Sequence, residues 1–239
     1  MALDYDWRRE AASALEWWRD AGVDTLVEAE VRDWTARPVP RVTPVPETPV
    51  TAAPALPDTL DAFLAWRLGD EAPEAGWGLP LIAPAGNPAA DLLVLLDLPE
   101  AFDAESGTLL SGPEGRLLDR ILLAIGRSRE TAHVATLAAA RPAAGTVPAD
   151  LEPRLGELMM HFIALTGPAR VLLMGQAATR AVFGPNGWSR RGSLESVNHA
   201  NGTVEALATW SPRFLLEKPA AKAEAWKHLQ LLIGGKAIA

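Results

Sequence analysis

Cysteine does not occur in the 239 residues of this chain. That absence excludes disulfides, cysteine-bound zinc, cysteine-ligated iron–sulfur clusters and thiol nucleophiles together. Lysine is missing before Lys218, and all four lysines lie between Lys218 and Lys236. No run of eighteen apolar residues occurs, so no membrane-spanning helix and no membrane partner are expected. The opening stretch MALDYDWRREAASALEWW carries acidic residues early and has no apolar h-region, which argues against a signal peptide. The expectation is a bacterial-type cytoplasmic protein without a metal or cofactor.

What is present is an ample supply of core. The chain is 49% hydrophobic, and its length suits one large domain or one domain with an appendage. Its net charge of −8 is unevenly placed. Residues 1–78 hold 7 Arg, no Lys and 15 acidic residues. From Arg170 onward there are 9 basic and 4 acidic residues, a net +5. A polyanion, if one binds, should meet the C-terminal third. The competing reading of the charge is a solubilising surface.

Three segments follow from the pattern. Residues 1–37 read as an N-terminal helical segment anchored by Trp17, Trp18, Leu26 and Val27. Residues 38–57 hold seven prolines, a density that gives a stiff, extended linker. Residues 58–239 then alternate. The apolar runs at 91–98, 132–140, 169–175 and 202–210 read as strands, and the segments between and after them as amphipathic helices. Four such alternations predict an α/β domain, a three-layer αβα arrangement around a four-stranded parallel sheet.

In such sheets ligands bind beyond the carboxyl ends of the strands. Asp97-Leu98-Pro99-Glu100 follows the first strand, and Thr136 lies near the end of the second. Gly175 and Gln176 follow the third, and Ser211 the fourth. These positions are expected to surround one crevice. Ser211-Pro212 is also helix-start grammar, an N-cap hydroxyl followed by proline at the first helical position.

The same strand ends carry a resemblance. LEWWRDAGVD, the block from AGNPAADLLVLLDLPEAFD to LLDRILLAIGRSRE, RVLLMGQAATRAVFG and SPRFLLEKPAAKAEAWKHLQ together resemble the iron–sulfur (family 4) uracil-DNA glycosylases over nearly the whole chain. The resemblance implies the uracil-DNA glycosylase fold and a DNA substrate. It also locates departures. The Glu that helps place the attacking water corresponds to Asp97, and the catalytic His to Ser211. Pro99 is kept. The Phe that stacks on the flipped base falls at Leu110, and the Asn that reads its edge near Thr136. Two cluster cysteines fall at Ala140 and Leu155, and the N-terminal pair has no counterpart around residues 69–80. Side chains such as Trp66 or Trp77 are expected to fill the gap. Arg190 and Arg191 in GWSRRGS, with Arg213 and Lys218, are the candidates for DNA phosphate contact.

Losing one donor to a departing anion costs about 3–4 kcal/mol of transition-state stabilisation. A serine hydroxyl is shorter than an imidazole, and Thr136 cannot present the paired donor and acceptor of an amide. The sequence therefore predicts a glycosylase-like protein with weak or no uracil excision that binds DNA or a partner. One alternative is an active, divergent DNA glycosylase using Asp97. Another is a protein-binding module without a nucleic-acid role, acting through the acidic N-terminal third.

Overall fold

The structure, a computed structural model, describes residues 7–22 and 56–234. The chain divides into two units, Met1–Ala53 and Pro54–Ala239. The proline-rich segment lies almost wholly outside the described residues, as do the remainder of the N-terminal helical segment and Lys236. Among the described residues no helix is long and apolar enough to cross a membrane.

In the first unit, α1 spans Trp7–Asp20. Trp7, Ala11, Ala14, Leu15 and Trp18 recur at helical spacing, so one stripe is apolar and the opposite face is charged. Trp7, Leu15, Trp17 and Trp18 are all exposed.

In the second unit, Thr59 caps α2 (Leu60–Arg67), accepting the Ala62 N–H. Then come β1 (Ala85–Gly86), β2 (Leu92–Leu96), α3 (Asp103–Ser106), α4 (Pro113–Ala124) and β3 (His133–Thr136). They are followed by α5 (Glu152–Thr166), β4 (Arg170–Met174), α6 (Gln176–Phe183) and β5 (Leu194–His199). The chain continues through β6 (Gly202–Thr209) and α7 (Pro212–Glu217) to α8 (Lys222–Ile233).

The sheet order is β1-β3-β2-β4-β6-β5. β3, β2, β4 and β6 pair in parallel, and β1 and β5 add antiparallel edges. The expected four-stranded parallel sheet is thereby corrected to a mixed, six-stranded one. The four apolar runs form the inner strands. The edges escaped notice because β1 is two residues long and β5, LESVNH, carries little apolar character.

Strand residues alternate between two core clusters, as a pleat requires. Leu93, Leu95, Val171 and Leu173 join α5 and α6 on one face, with Phe63 of α2. Leu92, Val94, Leu172 and Met174 join α4, α7 and α8 on the other. Leu155 is fully buried in the first cluster, and Trp66 and Trp77 pack against that same cluster.

A buried ion pair pins the loop after α2. Arg67 donates to both carboxylate oxygens of Glu74. Glu74 also accepts the Ala139 N–H at 2.8 Å, and Arg67 donates to the Leu137 carbonyl at 3.1 Å. The pair thus fastens residues 67–74 to the segment that follows β3.

Candidate functional site

The order of the parallel strands reverses at β2, which has β3 on one side and β4 on the other. Such a switch point leaves a crevice at the strand ends. An open cleft of about 420 Å³ lies there, lined among others by Asp97, Glu100, Gln176, Ser211, Arg213 and Phe214.

Asp97 follows β2, and its carboxylate accepts the Gln176 N–H at 3.1 Å and the Ala178 N–H at 2.7 Å. It therefore caps α6 across the sheet, where the helix dipole favours negative charge. The approach demands glycine at position 175. A Cβ there would lie 2.4 Å from Asp97 Oδ1, and the residue has φ +141°. Burial raises the Asp97 pKa, while the peptide N–H groups of Gln176, Ala177 and Ala178 and the charge of Arg180 pull it down.

Ser211 has extended backbone, and its Oγ accepts the Phe214 N–H at 3.3 Å. That bond satisfies one of the unpaired N–H groups at the start of α7. Ser211→Ala should lower stability by about 1 kcal/mol in a denaturant titration.

Glu100, in the stretch expected at the crevice but given no role there, is buried at the cleft. Arg213 donates to its two oxygens at 3.0 and 3.2 Å, and Arg141 stands 3.6 Å away. Burial raises the Glu100 pKa, against the hydrogen bonds from Arg213. Arg213, expected on a phosphate, is thus committed to an internal carboxylate.

The other predicted residues are dispersed. Pro99 is buried, and its carbonyl accepts from Arg141 at 3.1 Å. Leu110 sits in the core cluster of α4, α7 and α8. Its φ of 56° is unusual for a bulky side chain. Its carbonyl is held by Arg129 at 3.3 Å and packs where a side chain on Gly115 would collide. Thr136 lines a separate small cavity with Phe63, Leu137 and Phe162. The proposed base pocket of Pro99, Leu110 and Thr136 is therefore not assembled at the cleft.

Arg190 and Arg191 also lie away from it. Arg190 donates to the Phe183 carbonyl and faces Glu195 at 3.8 Å. Arg191 lies over the rings of Trp188 and Trp210, at 4.9 and 4.3 Å, and contacts Glu224 at 3.4 Å. Lys218 is exposed directly after α7. Arg141, Arg180 and Phe214 were also missed. Arg180 and Phe214 stand inside the quoted blocks without an assigned role, and Arg141 lies outside them.

An iron–sulfur cluster does not fit this chain. Ala140 and Leu155, at two of the ligand positions, are buried and aliphatic, and the chain has no cysteine thiolate to replace them. Among the described residues no three of His, Asp and Glu converge as a metal site.

Burial lowers the pKa of His133, whose Nδ1 lacks a partner among the described residues, and of His228. A depressed histidine binds its proton more readily in the unfolded chain. Its contribution is present above the unfolded pKa and lost as pH falls toward the folded value. Asp97 and Glu100, shifted upward, act in the opposite sense over the carboxylate range. His133→Leu should therefore flatten the loss of stability as pH falls below about 6.5, read as urea midpoints.

The type-4 uracil-DNA glycosylase of Pyrobaculum aerophilum is 25% identical to this chain over 158 residues, covering 63% of this chain and 80% of that protein. A family model described as the uracil DNA glycosylase superfamily matches residues 83–230, the span holding the sheet, Asp97 and Ser211. With more than half of its length inside that match, the chain belongs to the uracil DNA glycosylase superfamily.

Proposed function

We propose that this glycosylase-like protein binds DNA and excises uracil weakly or not at all. The observation that carries the reading is the commitment of the two residues best placed for chemistry. Ser211 stands where the resemblance puts a histidine, and its Oγ accepts a backbone N–H as a helix cap. Asp97 is likewise engaged by the N-terminus of α6. Both are held against helix N-termini, and the O–H that Ser211 keeps is a shorter donor than the imidazole of a histidine. Among the nominated phosphate contacts, Arg190, Arg191 and Arg213 already have internal partners. Lys218 and Lys222, both exposed after α7, remain the better phosphate contacts.

The test is a salt titration of single-stranded DNA affinity by anisotropy. Affinity should fall as salt rises, and Lys218→Glu with Lys222→Glu should weaken binding and flatten that slope. No binding at low salt would sink the reading. An active, divergent glycosylase is the second reading, favoured by a carboxylate, Asp97, in an open switch-point cleft. A protein-binding role is favoured by the exposed apolar stripe of α1. Base release from a panel of damaged duplexes separates the first two, and DNA binding itself separates both from the third.

A further inference from the structure

Phe214 is the aromatic ring in the cleft lining, and it is braced from behind. Its ring stacks on Trp210 with centroids 4.4 Å apart and planes at 15°. The Arg191 guanidinium lies 4.3 Å from the Trp210 ring centre and 4.9 Å from that of Trp188. Trp188 meets Trp210 edge-on at 5.1 Å. Glu224 then fixes both partners, accepting from Trp210 Nε1 at 3.1 Å and from Arg191 at 3.4 Å.

This arrangement exceeds what a cap for α7 needs, because Ser211 and Pro212 already supply the helix start. Holding a ring in one orientation removes the entropy cost that a mobile aromatic incurs on binding. The adjacent walls are polar: Gln176 and Ser211 offer hydrogen-bonding groups, and Glu100 and Arg213 form their ion pair. The cleft volume falls within the range of small-molecule sites. One aromatic face beside several polar groups suits a planar heterocycle whose edge carries donors and acceptors.

The geometry points to Phe214 as a stacking surface for an unpaired nucleobase entering the cleft, a role separate from the position of Leu110. The inference rests on the DNA-binding reading above. Base–aromatic stacking is sequence-tolerant, so the surface would accept purines and pyrimidines alike.

The probe is a single-stranded oligonucleotide carrying one 2-aminopurine, whose fluorescence drops when it stacks. An end label on the same oligonucleotide reports binding independently by anisotropy. Wild type and Phe214→Tyr should bind and quench. Phe214→Leu should lose the quench and bind about 5- to 150-fold more weakly at constant salt. Phe214→Met, which keeps bulk and removes the ring, takes its place if Phe214→Leu does not fold. Binding without quenching by wild type, or equal quenching by the ringless variant, overturns the stacking assignment and leaves DNA binding standing. Absence of binding by wild type at low salt overturns both.

Discussion

Glu74→Gln should lower stability by about 3–5 kcal/mol, the cost of breaking a buried ion pair from one side. Glu74 is 0% exposed and Arg67 7%, so the guanidinium left behind has no water to turn to. The amide of glutamine can still accept the Ala139 N–H, but it presents no charge to Arg67. For a chain of this size the change corresponds to a melting temperature lower by about 6–20 °C. Arg67→Met combined with Glu74→Leu should recover only part of that loss, because it removes the unpaired ion but leaves the Ala139 N–H and the Leu137 carbonyl without their partners. An equally large loss in the double variant would place the stabilisation in the hydrogen bonds to Leu137 and Ala139 rather than in the charge pair. The pair joins the loop after α2 to the end of β3, in the region where the resemblance puts cluster ligands. A hydrogen-bonded cross-link occupies it here.

The second large effect concerns chemistry. Uracil release should fall about 10³- to 10⁵-fold below that of a histidine-bearing relative. The figure combines the loss of one transition-state donor, about 3–4 kcal/mol, with the loss of a stacking face, about 1–3 kcal/mol. Ser211→His should recover less than about tenfold, because groups that act as a unit do not contribute additively. Asp97 would stay tied to Gln176 and Ala178, Thr136 would stay in its own cavity, and Leu110 would stay in the core. Single-turnover assays on both proteins measure the gain. A gain of several hundredfold would mean that the remaining residues are still poised for catalysis.

The inner strands were legible because they are largely buried and rich in apolar residues, most clearly LLVLL, and because helical segments separate them. Strand β5 was not, because its residues alternate between exposed and half-buried and its sequence has no apolar rhythm. The strand-end rule placed Asp97 and Ser211 at one cleft, since both follow parallel strands directly. It failed for Thr136 because a position along a strand does not say which cavity its side chain enters. Charge marked Arg190, Arg191 and Arg213 as basic, but their partners, Glu195, Glu224 and Glu100, are distant in sequence or carry no motif. Arg67 and Glu74 were invisible for the same reason, since only the fold brings Leu137 and Ala139 to them.

The proposed function is DNA binding without efficient uracil excision. The most direct measurement is single-turnover base release, with wild-type protein in excess over a uracil-containing single-stranded oligonucleotide that anisotropy shows to be bound. The bound DNA should keep its uracil over many hours. Stoichiometric release of uracil within minutes would contradict it.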